Sequence, residues 1–337
     1  MSAARMSTIE SQNALISIVV PCFNEEEVIV TTYQHLVCAL EPLPRVEFEF
    51  VFVDDGSRDR TLELLRNLQE ADRRVRVVSF SRNFGHQVAV TAGLEHTTGH
   101  AVVLIDADLQ DPPEVIEELL LRWRQGADVA YGVRIRRDGE TALKLWTAKI
   151  FYRCINRLSD VGIPVDTGDF RLMDRTVVDA LLSMPERDRF VRGMVAWLGF
   201  RQEAVFYKRV PRPAGTTKYP FAKMVRFALD GILSFSVAPL RLAIWIGVAT
   251  SAIAGVGLVY ALLMRLFTNI WVPGWTLLFI ACSTIGGIQL LFLGILGEYV
   301  GRIYGEVKRR PLYVVRERLG FGSAVRIAQS VPQKVSL

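Results

Sequence analysis

Two carboxylates one residue apart, Asp106 and Asp108, directly follow the apolar run AVVLI at 101–105. If that run is a strand, alternate residues at its end can turn two carboxylates toward one hard cation. Mg2+ and Mn2+ prefer oxygen ligands, and their sites typically combine one or two carboxylates with substrate phosphates. Such a site suits a nucleotide diphosphate leaving group, whose developing charge the metal neutralises. A lone Asp-x-Asp is a weak signal. The longer string DADLQDPPE at 106–114, set behind an apolar run, is a strong one. Two more acidic segments, PCFNEEE at 21–27 and DDGSRD at 54–59, also follow apolar runs. Each alone is compatible with ordinary turn chemistry: Ser57 or Asp59 as a helix cap, Asp111-Pro112-Pro113 as a helix start. Three such loops on one sheet edge are harder to explain as turns.

The elements between these loops alternate. Strands are predicted at 16–21, 48–53, 75–80, 101–105 and 129–131, and helices at 26–40, 59–71, 87–96 and 113–124. That order implies an α/β fold with a mainly parallel sheet covered on both faces, and ligands of such sheets sit beyond the carboxyl ends of the strands. No G-x-G-x-x-G follows a strand, and neither G-x-x-x-x-G-K-[ST] nor H-E-x-x-H occurs. The histidines His35, His86, His96 and His100 form no ligand spacing and read as surface or helix residues.

The chain has 337 residues, of which 50% are apolar and 22% charged, which excludes disorder over most of its length. Four scattered cysteines argue against a disulfide scaffold or zinc ribbon. Mean hydropathy is +0.25, high for a soluble enzyme with this many charges. Two uncharged runs of 23 residues, 242–264 and 275–297, account for it. As helices each extends about 35 Å, enough to cross a bilayer core. Lys218, Lys223, Arg226 and Arg241 precede them and Arg302, Lys308, Arg309 and Arg310 follow, while their connection holds one basic residue. The positive-inside rule then puts both flanks, the catalytic region and both termini in the cytoplasm, at the inner membrane. Segments 142–158 and 221–233 alternate apolar and basic residues and read as basic amphipathic helices for a headgroup interface; a helix packed on its own sheet is the alternative. The net charge of +5 thus finds a membrane partner, and no nucleic acid is expected. A small-residue stripe, Ala243, Gly247, Ser251 and Gly255, allows a homo-oligomer or simple packing on the second span. The expected organisation is an N-terminal tail (1–14), a catalytic domain (15–218), a juxtamembrane helix (219–240), a two-helix hairpin (241–298) and a C-terminal tail (299–337).

Together, VVPCFNEEE, VDDGSRD, SRNFGH, DADLQDPPE, DTGDFRLM and LGEYVGRIY resemble the glycosyltransferase family two enzymes that load polyprenyl phosphates. The resemblance spans roughly residues 15–315. It implies a GT-A fold, inversion at the anomeric carbon, a nucleotide sugar donor, an undecaprenyl phosphate acceptor, and Mg2+ or Mn2+. It implies that Pro21 and Glu25 line the nucleotide pocket, that Asp55 hydrogen-bonds the base while Asp54 holds the turn, and that Arg82 assists near the nucleotide. Asp106, Asp108 and Gln110 would form the metal and diphosphate site, with Asp108 as the direct ligand. Arg134 and Arg171 match family arginines that face the acceptor phosphate. Asp169 occupies the family's base position, with Asp166 as an alternative and neither as a third. Thr167-Gly168-Asp169, where many mannosyl members carry serine before the glycine, favours the glucosyl branch and UDP-glucose. Mannose or aminoarabinose as the sugar is the alternative. A processive polysaccharide synthase needs more spans and a Q-x-x-R-W motif, absent here. A transporter with a nucleotide-binding domain needs an ion path that uncharged spans do not offer.

Overall fold

The computed structural model describes residues 13–135, 167–208, 238–267 and 274–322, which fall into two compact units. The amphipathic segments at 142–158 and 221–233, Asp166, and nearly all of the N-terminal tail lie outside the described residues.

The first unit is built on one eight-stranded sheet, ordered β7-β5-β6-β4-β1-β2-β3-β8. The strands are β1 (Ala14–Cys22), β2 (Val46–Asp54), β3 (Val75–Phe80), β4 (Ala101–Leu104), β5 (Val129–Arg134), β6 (Thr167–Asp174), β7 (Gln202–Tyr207) and β8 (Val315–Leu319). Its helices are α1 (Ile29–Leu40), α2 (Thr61–Ala71), α3 (His86–Glu95), α4 (Val115–Arg124), α5 (Arg175–Ser183) and α6 (Val191–Trp197). Strands β1 to β4 pair in parallel, with β1 between β2 and β4. Their near-continuous apolar runs follow from that central position, since both faces of each strand are covered; Ile16, Ile18, Phe50 and Phe52 are fully buried. β6 runs antiparallel to both β4 and β5.

The register fixes the site. Cys22 of β1 lies opposite Asp54 of β2, and Val19 of β1 opposite Leu104 of β4. The three acidic loops therefore leave the sheet on one edge, where the strand order departs from β1 in both directions. That reversal point is where open α/β sheets bind ligands.

Residues 315–319, expected within a C-terminal tail, form an edge strand antiparallel to β3, with Ser79 opposite Glu317. Local pattern did not reveal it, because VRERL is largely charged and its partner is more than two hundred residues away.

The second unit holds α7 (Ala238–Phe267) and α8 (Trp275–Val307) among its described residues. Among the described residues, one helical stretch, Thr284–Val307, is long and apolar enough to cross a membrane, and Ala243–Gly257 is a shorter apolar stretch. Large apolar side chains stand exposed along both helices, including Trp245, Ile253 and Val256 on α7 and Leu290, Leu293 and Ile303 on α8.

Candidate active site

The first two acidic loops are clamped together by reciprocal hydrogen bonds. The Asn24 amide donates to Ser57 Oγ (2.9 Å), and the Arg58 amide to Asn24 Oδ1 (2.8 Å). The Glu26 amide donates to Asp59 Oδ2 (3.2 Å), and the Arg60 amide to Glu26 Oε2 (3.0 Å). Between them the Glu25 amide donates to Thr61 Oγ1 (2.9 Å). Burial would raise the Asp59 carboxyl, but bonds from Thr61 and the Glu26 amide outweigh it and hold the pKa below the usual value. Asn24, Glu26, Ser57 and Asp59 thus hold the loops, while Pro21 is buried within β1 and Glu25 stays partly exposed at the rim.

A third loop joins through Asp55, which is buried and accepts from the Phe84 amide (2.6 Å) and the Gly85 amide (2.9 Å). Asp54 accepts from the Ser57 amide and the Ser79 hydroxyl, which makes it the holder of the turn. Asp55, expected on a nucleotide base, spends a bond from each oxygen on the backbone that leads into α3. Gly56 completes the junction at φ +70°, and a Cβ there would lie 2.4 Å from the carbonyl carbon of Arg82. No other residue fits so close a backbone approach at that φ. Arg82 lies over the Phe84 ring, 4.2 Å from its centroid.

Beyond β4, Asp106 and Asp108 are partly exposed, and Gln110 and Asp111 are buried. Asp108 Oδ1 accepts from the Gln110 amide (3.2 Å), and Thr32 donates to the Ala107 carbonyl (2.7 Å). Burial pushes the Asp106 carboxyl up to about 6; His86 opposes the rise, and Asp169, Asp108 and Asp111 add to it.

Asp169 sits at the centre of the next cluster. Its Oδ2 accepts from His86 Nε2 (3.0 Å) and Gln87 Nε2 (3.3 Å), and its Oδ1 from Arg192 Nε (2.7 Å). Burial opposes its charge, yet His86, Arg192 and Arg171 hold the carboxyl far below the usual carboxylate range. Burial likewise disfavours a charged His86, but Asp169 and Asp106 prevail and raise its pKa above 6.5. The His86 Nε2 also lies 3.8 Å from Asp106.

Arg134 is set by a separate network. Its Nε donates to the Tyr207 hydroxyl (3.3 Å), and its Nη2 lies 3.5 Å from Asp111 Oδ2. The Tyr207 hydroxyl in turn donates to Asp111 Oδ1 (2.5 Å). Gly168 leaves room for this guanidinium, since a Cβ would stand 2.6 Å from Arg134 Nη2. Arg171 behaves differently from Arg134. It is 4% exposed and folds back onto its own strand, donating to the carbonyls of Gly168 (3.1 Å) and Asp169 (3.3 Å). Burial lowers its pKa to about 10. It is an internal prop rather than a group on the open edge.

The structure therefore gathers Asp106, Asp108, Asp169 and Arg134 and adds residues that pattern reading passed over: His86, Gln87, Asp111, Arg192 and Tyr207. His86, which reads in the sequence as a surface or helix residue, heads α3 beside two carboxylates. The only trace of it in the sequence is its place at the end of SRNFGH.

Residues 17–182 match the sequence profile of Glycosyl transferase family 2. An uncharacterized glycosyltransferase of Bacillus subtilis is 48% identical, covering 92% of this chain and 96% of its own length. A prophage bactoprenol glucosyl transferase homolog of Escherichia coli K12 is 43% identical (89% and 98% covered). A bactoprenol glucosyl transferase of Shigella phage SfX is 42% identical (90% and 99% covered).

Proposed function

The chain belongs to the polyprenyl-phosphate glycosyltransferases of glycosyltransferase family 2, and from that premise we propose that it moves glucose from UDP-glucose to undecaprenyl phosphate, with inversion, at the cytoplasmic face of the membrane. The observation that carries this reading is the pairing, on one sheet edge, of an acidic pair with a cationic set. Asp106 and Asp108 stand on one side; His86, Arg192 and Arg134 surround them and Asp169. A donor diphosphate with its cation and an acceptor phosphate need those opposite environments.

The residues fit a divalent cation. Asp106 and Asp108 stand on one loop, and burial, the main cause of the raised Asp106 pKa with the nearby carboxylates adding to it, disfavours a charge that a cation would stabilise. No cluster of three metal-ligating side chains occurs among the described residues; Mg2+ sites of nucleotide enzymes commonly use one or two carboxylates plus substrate phosphates. Asp106 and Asp108 would hold it, with Gln110 beside them; when bound, the cation neutralises charge on the leaving diphosphate.

In the reaction an acceptor phosphate oxygen bonds to the anomeric carbon as the bond from that carbon to the donor diphosphate breaks, the electron pair leaving with UDP. A phosphate monoester has a second pKa near ~6 and is mostly dianionic at pH 7. The nucleophile thus needs orientation and masking of its repulsion from the donor more than it needs a base. Arg134 supplies that by forked hydrogen bonds, on a mount fixed by Tyr207 and Asp111. Asp169, ionised at any physiological pH, serves better as the anchor of His86 and Arg192 than as a proton acceptor.

We assign α7 and α8 to two membrane spans. Their exposed apolar flanks support it. The sheet is compatible with it: β7 precedes them and β8 follows them in one folded unit, so any membrane crossings between come in an even number. A donor panel assayed with undecaprenyl phosphate tests the proposal. UDP released from UDP-glucose only when the lipid is present is the expected result. Release without lipid, or none with any donor, would overturn it.

A further inference from the structure

The segment that follows the membrane helices makes contacts that ordinary edge pairing does not require. Residues 308–312 are all that separates α8 from Tyr313. The Tyr313 ring stacks on Phe80 at 4.8 Å, and Phe80 meets Phe84 edge-on at 5.6 Å. Phe84 and Gly85 are the residues whose amides Asp55 holds, and His86 comes next. The Tyr313 hydroxyl donates to Glu95, the last residue of the same helix, α3. One side chain thus touches both Phe80, at the end of β3 where the Phe84 ring of the loop rests, and the end of α3. The Ser81 amide donates to the Val314 carbonyl (2.9 Å), pinning the start of the loop. Phe321 packs edge-on against His96, just past α3, at 5.3 Å, and Arg66 holds Glu317 by two bonds (2.5 and 3.2 Å).

We propose that residues 313–321 form a strap that sets α3, and through it His86, for catalysis, with Tyr313 as its positioning residue. The argument is geometric. His86 must reach Asp169 and Asp106 at once, and it does so from the first turn of a ten-residue helix. Helix ends fray unless something holds them. Here the start is held by the Asp55 bonds and the edge-on Phe80–Phe84 contact, and the end by the Glu95 bond. Tyr313 backs Phe80 by stacking on it and makes the Glu95 bond. The activity arm of the test rests on the transferase reading above, whereas the exchange arm does not.

The experiment compares full-length wild type with Tyr313→Ala and Tyr313→Phe in nanodiscs. It follows amide hydrogen exchange at residues 81–86 and the kinetics of transfer from UDP-glucose to undecaprenyl phosphate. For Tyr313→Ala the expected exchange at 81–86 is about tenfold faster. Its kcat should fall about tenfold, with KM for the lipid within about twofold, because the Arg134 mount is separate. Tyr313→Phe keeps the stack and should recover kcat to within about threefold of wild type. If Tyr313→Ala does not fold, Tyr313→Leu, which keeps apolar volume without the stack, is judged by the same criteria. Unchanged exchange at 81–86, or an unchanged kcat, overturns the strap. A wild type that transfers nothing to undecaprenyl phosphate refutes the transferase reading, and exchange alone then decides the strap.

Discussion

Replacing Asp169 with asparagine removes one charge from a cluster of three donors without changing its size. Arg192 Nε, His86 Nε2 and Gln87 Nε2 all point at the carboxylate, at 2.7, 3.0 and 3.3 Å. The asparagine oxygen can serve one side only, so its amide nitrogen must face a donor on the other. Breaking a fully buried pair costs about 3–5 kcal/mol. The Arg192 and His86 side chains are 26% and 43% exposed, so solvent screening reduces the cost to about 2–3 kcal/mol. For a domain of this size that lowers Tm by about 4–12 °C. The pH dependence has a definite sign. The folded pKa of Asp169 is depressed, so its stabilisation is present above the unfolded value of about 3.9 and is lost only as pH falls through the much lower folded one. That part of the penalty is constant from pH 5.5 to 8. The folded pKa of His86 is raised, so its stabilisation is full below about 6.5 and fades as pH rises through the folded value. The Tm deficit should therefore be larger at pH 5.5 than at pH 8, read by intrinsic fluorescence of the full chain. No limb of the pH–rate profile should belong to Asp169. A Tm within about 1 °C of wild type at both pH values would refute the clamp, and a deficit that grows toward pH 8 would refute the His86 assignment.

Three further outcomes are expected. Asp108→Asn should cut metal-dependent turnover at least ~100-fold, about 2.7 kcal/mol at the barrier; turnover within about threefold in folded protein would end its assignment as a ligand. Gly56→Ala should destabilise by about 2 kcal/mol or more, since both its φ of +70° and the 2.4 Å approach to Arg82 oppose a side chain; an unchanged denaturation midpoint would contradict that. Arg134→Ala should mainly raise KM for the lipid phosphate, and Tyr207→Phe should do the same more weakly by loosening the guanidinium; a pure kcat effect in both would move Arg134 away from the acceptor.

The first five strands and the helices between them were legible because each carries its own periodicity and its loop its own turn residues. The edge they share followed from parallel topology alone. β6 was harder to see. TGDFRLMD alternates Asp169 and Arg171 on one strand face, and it reads as a motif rather than a strand because both charges are buried, Asp169 by partners elsewhere in the chain and Arg171 by carbonyls of its own strand. The same alternation explains Arg171: a residue two along from a buried Asp169 faces inward with it, so its guanidinium turned to backbone carbonyls. His86, Asp111 and Tyr207 were missed because their roles are pairings across 83 and 96 residues of sequence, and no local spacing records them. Asp55 shows a contact that no local pattern announces, a carboxylate at the ligand edge that also holds the backbone of a third loop.

The central claim is transfer of a sugar to a polyprenyl phosphate on this edge, and the most direct test is product analysis. Purified full-length protein is incubated with UDP-glucose, a divalent cation and undecaprenyl phosphate, and the lipid fraction is examined by mass spectrometry. The account predicts undecaprenyl phosphate carrying one hexose, formed one-for-one with UDP, in wild type and not in Asp108→Asn. Unmodified lipid alongside active turnover to a different, non-lipid product would contradict it.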